Sequence, residues 1–553
     1  MPRSLSAPKA ALLIAAVAAL GTAAPPATLP ASPSPSPAPT STPALPSTPA
    51  ASATPAGPVP PAPPSPAATQ PPITVTPASA LVGVGHPVDI AVGSALSPIT
   101  ATVADPAIAG VYVDSAAQRV TVLGKAPGTT VVTISDLRGV RRDVPVRVAY
   151  YAGAYADRIE LRLTGDPASA DFVREQVSRA VREAAQIRPD AQIIVTADDV
   201  AARRPLEQDD VASFDVPVLI QGTGDLEVDG STHVDVANVA VPRISPDSLM
   251  VSDYPERLTE DGTLFTADLS YAQPSRFLYF HYNPPGQPNR RIVLRAENLS
   301  REPSIVQFIS GRGGPSPNEM DVGHTATKRF LVNVVQNQGR LLTLAGNSST
   351  EIVTQELPPG NVVCNLLQLR VLSGGNVHLT LVAQNDDPKA APAAGTELLE
   401  STYKHARGIY PIAEFHFATR WKVDDEYLEL PIGQLPLPNH LRGQALAGDY
   451  GVLQSFVVNV ENPLGSPQSI AIYENPRGGR ATGTYLIDGV LVQSHQVPPY
   501  SRYKVRQYIV PAHGFVRVTI VTMPEAGSSL PLRLVFAPDD GSVAPGAPGS
   551  PVY

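Results

Sequence analysis

From Ile73 onward the chain falls into short runs in which apolar residues alternate with polar or small ones. Ile73–Thr76, Pro87–Val92, Ile99–Val103, Val111–Val113, Arg119–Leu123, Thr130–Ile134 and Val144–Val148 mostly keep this two-residue period. Such a period turns one set of side chains toward a core and the other toward water, as in a half-buried strand. Gly83, Gly85, Gly93, Gly124, Gly128 and Gly139 punctuate the runs. Ala126-Pro127-Gly128-Thr129 puts Pro and Gly at the central positions of a type II turn. Seven strands so closely spaced predict a small β-sandwich over residues 73–149.

The period then changes. After the strand-like run Arg158–Thr164, Phe172, Val173, Val177, Ala180, Val181, Ala184 and Ile187 recur at helical spacing. Ser169 can cap this helix and Pro189 closes it, before Gln192–Thr196 returns to a strand pattern. Residues 150–212 therefore read as a small α/β module, or as a connector whose helix covers the next sheet.

From about Phe214 to residue 538 strands dominate, and a weak repeat runs through them. Ile292–Asn298 with Ser304-Ile305 parallels Phe456–Asn462 with Ser469-Ile470, and Gly313-Gly314 matches Gly478-Gly479. Pro358-Pro359 matches Pro498-Pro499, and Gly375–Val382 matches Gly514–Val521. Two related β-sandwiches are expected, over 213–388 and 389–540, divided by the linker Asp387–Gly395. The first holds an insertion, His324–Gly339, that reads as a short helix stopped by its glycine. A Pro/Gly-rich tail, 541–553, reads as disordered. The fold class is mainly β and multi-domain: immunoglobulin-like β-sandwiches plus one small α/β module.

The beginning of the sequence adds a destination. Arg3 and Lys9 precede the uncharged apolar run Ala10–Leu20, and small residues follow at Gly21–Ala24. Residues 1–24 fit a signal peptide, with a retained N-terminal anchor as the alternative. Residues 25–72 are Pro, Ala, Ser and Thr with little else and no charge. Proline removes amide donors and fixes φ, so a disordered linker is expected, reaching on the order of 150 Å if fully extended. No later apolar run approaches spanning length, so no transmembrane segment is expected in the mature chain. The expected location is outside the cytoplasm, in the periplasm or at the cell surface.

Composition narrows the function. The net charge of −9 argues against a nucleic-acid partner, which needs a clustered basic face. A single cysteine, Cys364, excludes an internal disulfide, and its apolar neighbours read as a buried strand thiol.

One stretch carries a family resemblance. Val120–Ile134, preceded by Asp105–Ala109 and followed by Val144–Val148, resembles the N-terminal domain of tight-adherence pilus-assembly secretins. It is also similar to group 2 bacterial immunoglobulin-like domains. The resemblance covers about residues 73–149 and implies an immunoglobulin-like fold and an envelope location. Nothing downstream resembles a secretin's pore-forming segment, so the outer-membrane channel itself is not implied. Ser252–Glu256 through Gly262 resembles an uncharacterised family of bacterial envelope proteins.

No motif for nucleophilic, phosphate or zinc chemistry occurs. Gly311–Pro315 is glycine-rich but reads as a hairpin or loop. Asp225-Leu-Glu227-Val-Asp229-Gly230 opens like a calcium loop, yet Val236 stands where a bidentate carboxylate is required. A hairpin turning at Asp229-Gly230 fits better. His281 and His416 sit between aromatics in strands and read as hydrogen-bonded strand histidines. Asp424-Asp425-Glu426 reads as a solvated turn rather than a glycosidase pair. Aromatics are 6% with Trp421 the sole tryptophan, few for a sugar platform. The expectation is therefore a non-enzymatic envelope scaffold or interaction protein, associated with pilus assembly or secretion, with no catalytic, cofactor or metal residues. Its expected partners are other envelope, pilus or secretion proteins. The alternatives are a surface adhesin binding glycans, and an extracellular hydrolase whose site lies between the two sandwiches near His281 or His416.

Overall fold

The computed structural model describes residues 71–386, 397–402, 405–434, 436–438 and 445–542. The leader 1–24, nearly all of the Pro-rich linker, the linker Asp387–Gly395 and most of the tail lie outside them. Among the described residues no helix is long and apolar enough to cross a membrane.

The first domain is the expected sandwich. One sheet runs Thr74–Thr76, Pro87–Gly93, Arg119–Gly124, Ala109–Asp114, and the other Ala80–Gly83, Arg141–Ala149, Gly128–Ser135, Thr100–Val103. Val120, Val122, Val132, Ile134, Val144, Val146 and Val148 are buried between them, every second residue along their strands. One strand was not legible: Ala80–Gly83, which pairs parallel with Arg141–Ala149 and is too short and apolar to show alternation.

A ten-stranded sheet organises the middle of the molecule. Its spatial order is Ala191–Ile194, Val211–Gly222, Val228–Asn238, Arg158–Thr164, Gly339–Leu344, Ser304–Ser316, Asn361–Ser373, Ser275–Asn283, Ser248–Ser252, Arg407–Tyr410. Helix α1, Ala170–Ala184, has the expected cap, the Ser169 hydroxyl accepting from the Phe172 amide. Its Phe172, Val173, Val177 and Val181 pack on Val216, Val218, Ile220, Val234 and Val236. The division expected at residue 212 therefore cuts through a hairpin that α1 needs to bury its apolar stripe. That hairpin also turns at Thr223-Gly224 rather than at Asp229-Gly230, which lie within a strand paired to Leu219 and Val218.

The second half of the ten-stranded sheet has two covered faces. On one lies a four-stranded sheet, Gly262–Leu269, Val377–Asn385, Arg290–Asn298, Ser348–Leu357, over a core that includes Phe265, Phe277, Leu294 and Leu367. On the other lies helix α2, Glu319–Val335, whose Val322, Ala326, Phe330 and Leu331 meet Ile309, Cys364 and Leu366. The helix starts ahead of His324 because Asn318 caps it and Glu319 and Asp321 sit in its first turn. Asn337, at φ 53°, stands just past its end, and Gly339 opens the next strand. Gly311 and Gly313 are neither loop nor hairpin but strand. A Cβ at Gly313 would lie 1.9 Å from the Val322 carbonyl oxygen, so glycine there lets α2 press onto the sheet.

The last sandwich pairs Glu414–Lys422, Leu453–Glu461, Phe515–Thr522, Ala481–Ile487, Val490–Val497 with Leu428–Ile432, Leu532–Pro538, Gln468–Pro476, Tyr503–Val510. Its core includes Trp421, Phe456, Ile472 and Phe536. The repeat has a physical basis in one side chain. Asn298 is buried and its Nδ2 donates to the carbonyls of Glu302, Leu344 and Ala345. Asn462, its counterpart, donates likewise to Ser466, Val510 and Pro511. In each copy Oδ1 accepts the amide two residues on, Ser300 or Leu464. Each asparagine thus fixes the corner where the chain leaves one sheet of its sandwich for the other.

Candidate ligand cleft between the two sandwiches

Strand Ser248–Ser252 pairs antiparallel with Arg407–Tyr410, opposing Ser252 to Arg407. The next step of that register brings Asp253 beside Ala406, and the Asp253 amide donates to the Ala406 carbonyl at 2.9 Å. The chain then runs along strand Ser275–Asn283, where the Tyr282 amide donates to the Glu256 carbonyl at 2.8 Å. His281, fully buried one layer below, lies with Nδ1 2.9 Å from the Pro255 carbonyl and Nε2 3.2 Å from the Ser252 hydroxyl. Burial holds His281 down at about 4, so it is neutral at physiological pH and serves the backbone of this turn.

Three side chains meet here. His405 has Nδ1 3.4 Å from an Asp253 oxygen and Nε2 2.9 Å from a Glu256 oxygen. Burial pushes the Asp253 carboxyl up to about 7, Glu256 adding to the rise and His405 opposing it. The hydrogen bond to Asp253 raises His405 above the ordinary imidazole range against a smaller effect of burial. Asp253 Oδ1 is sealed from solvent and has no hydrogen-bond partner. The Asp253 side chain retains 26% exposure, which therefore belongs to its other atoms.

These groups line a cavity of about 510 Å³ floored by Val251, Leu278 and Phe280 of the wide sheet. Its far wall comes from the last sandwich, through Tyr450 and the loop Ala526–Ser528, and Glu319 at the start of α2 closes one side. The Tyr450 hydroxyl donates to the Ser528 carbonyl at 2.8 Å. Gly527, at φ +79°, brings that loop against α2, since a Cβ there would sit 2.5 Å from the Glu319 carbonyl oxygen. The three described carboxylates of the lining face a single basic group, His405.

The residues singled out by motif lie elsewhere. His416 is 65% exposed beside Glu414 and does not meet His281. Cys364 is buried and free, its thiol driven up by burial, as a structural cysteine. Asp424, Asp425 and Glu426 form an exposed turn. Asp225 pairs with Arg188 at 3.3 Å and Glu227 accepts from Gln221. Trp421 is buried against Phe536, which removes it as a sugar-stacking surface. Sequence reading missed Asp253, Glu256 and His405 because no motif spacing links the first two to the third. The signals available were the family resemblance of Ser252–Glu256 and the way Asp253 and Glu256 bracket Tyr254-Pro255 at the end of a strand.

Among curated proteins none matches the chain. Solved structures overlap parts of it weakly. A Bacteroides ovatus mixed-linkage glucan utilization locus protein, SGBP-B, is 8% identical, covers 55% of this chain and 72% of its own, at TM-score 0.13. A tri-modular endo-β-1,4-glucanase from Bacillus licheniformis is 10% identical over 30% of this chain and 38% of its own, at TM-score 0.12. A structure of carbohydrate-binding modules from the β-sandwich superfamily is 11% identical, covers 56% of this chain and 94% of its own, at TM-score 0.11. Overlaps this weak carry no functional argument. The sequence family gives the firmer result: residues 96–149, within the first sandwich, match the pilus formation protein N terminal region.

Proposed function

We propose that this is an exported envelope protein that works with pilus-assembly or secretion machinery, using its first sandwich as a docking module. The observation that carries the reading is the family match at residues 96–149, on a domain with a complete sandwich core of its own. Edge strand Ala109–Asp114 leaves one side of its sheet unpaired, and Tyr112 on it is 72% exposed. Such an edge offers backbone pairing to a partner strand. The test is a photo-crosslinking amino acid at Tyr112, in the full chain within intact envelopes. An adduct with a pilus or secretion subunit, absent when the crosslinker replaces exposed Tyr427, is expected. Identical adduct patterns at both positions would sink the reading.

One observation favours a second reading, an extracellular hydrolase. The cavity between the sandwiches holds three carboxylates and an imidazole, groups able to move protons. Hydrolysis of a glycan or peptide substrate by the wild type, lost in Asp253→Asn with the fold intact, would support it. Turnover unchanged by that substitution would remove it.

A further inference from the structure

We infer that Asp253, Glu256 and His405 form a binding site for one divalent transition-metal cation, zinc or manganese in type, open to the cavity between the sandwiches. Nothing in this depends on the pilus-type domain. One donor atom from each residue lies within 4.8 Å of the other two. Donors about 2.1 Å from a shared ion at tetrahedral angles lie about 3.4 Å apart, so movements of about an ångström or a little more close the set. Rotation of the exposed imidazole and the half-buried carboxylate ends supplies that, while the main chain stays tied to the sheet through Ala406 and Tyr282.

The donor chemistry selects the ion. Two carboxylates and an imidazole suit zinc, manganese or iron(II), whereas calcium and magnesium take oxygen ligands throughout. The surroundings ask for a cation. Asp253 Oδ1 is sealed without a hydrogen-bond partner, a state that costs free energy unless something satisfies the oxygen. Glu319 adds a third carboxylate to the same lining. Three protein ligands leave coordination positions free, and the cavity of about 510 Å³ lies beside them. That is the layout of sites that hold a water or a ligand group on the ion.

The competing arrangement is a plain ion-pair triad in which a protonated His405 bridges the two carboxylates. Calorimetric titration of tag-free, chelator-stripped full chain with zinc, then manganese, separates the two. One ion per chain is expected, with zinc affinity falling about 30-fold or more in His405→Ala and about tenfold in Glu256→Gln. His378→Ala, which removes a surface histidine paired to Asp268, should leave binding unchanged. Circular dichroism checks the fold of each variant, and Glu256→Gln stands as the conservative substitution if His405→Ala misfolds. No saturable binding by the wild type overturns the assignment. So does a loss of less than about threefold in every folded variant, or displacement of zinc by calcium in moderate excess.

Discussion

Arg276 offers the sharpest test of how the two sandwiches are held together. It belongs to strand Ser275–Asn283 of the ten-stranded sheet, is wholly buried, and reaches into the last sandwich. Its Nη1 donates to the Ala413 carbonyl at 2.6 Å and lies 3.4 Å from the Gly451 carbonyl. Its Nη2 donates to Glu414 Oε1 at 2.9 Å and to Gln368 Oε1 at 3.2 Å. Glu414 is itself only 10% exposed. Arg276→Met keeps the apolar stem but leaves that carboxylate buried without its guanidinium partner. Breaking one side of a buried pair costs about 3–5 kcal/mol, because desolvation of the remaining charge is no longer offset. Glu414→Gln in the same chain removes the orphan charge, so the double variant should recover about 2 kcal/mol relative to additivity.

The assay uses a probe that the sequence provides. Trp421 is the only tryptophan and sits in the core of the last sandwich, while circular dichroism reports all the sheets. In the wild type the two signals should unfold together in urea, since the sandwiches share a buried clamp. In Arg276→Met the tryptophan midpoint should separate from the dichroism midpoint, as each sandwich then unfolds on its own. Coincident transitions in Arg276→Met, with a loss below about 1 kcal/mol, would refute the clamp.

Three other outcomes follow from single contacts. Asn462→Ala removes a buried donor shared among three carbonyls and should cost about 2–4 kcal/mol; Asn298→Ala should cost as much, and with the clamp intact each should lower the single transition that tryptophan and dichroism report together. Gly313→Ala drives a methyl into the backbone of α2 and should destabilise by about 2 kcal/mol or more, with chemical denaturation as the check. Glu474 is fully buried and burial lifts its carboxyl from 4.5 to about 7. Because the folded form holds its proton more tightly, stability is undiminished below about pH 4.5 and falls as pH rises toward 7. Glu474→Gln should therefore melt like the wild type at pH 4 and be stabilised by up to about 3 kcal/mol at pH 8; parallel melting curves at both pH values would contradict the shift.

What could be read from the sequence was whatever is encoded locally. Alternation at Val120–Leu123 and Thr130–Ile134 marks strands because burial of every second residue is a nearest-neighbour property of the backbone. Ser169 marks the start of α1 for the same reason, its side chain answering an amide three residues on. Asn318 and Glu319 carried an equal signal for α2, which starts five residues ahead of His324. Even the repeat was legible, since the corner that Asn298 and Asn462 make constrains the residues around it in both copies.

Pairing across long loops leaves no such trace. Nothing near Arg407–Tyr410 says that it closes the edge of a sheet whose other strands belong to the preceding domains, because a short apolar strand pairs with any compatible edge. That one registration decides where the ligand cleft lies. It sets His405 against Asp253, opposes Ala406 to the turn that carries Glu256, and leads the chain directly into the segment that Arg276 clamps at Ala413 and Glu414. The clamp and the cleft are thus two consequences of a single strand addition. Loosening Arg276 should for that reason also weaken zinc binding at Asp253, Glu256 and His405, although Arg276 touches none of them.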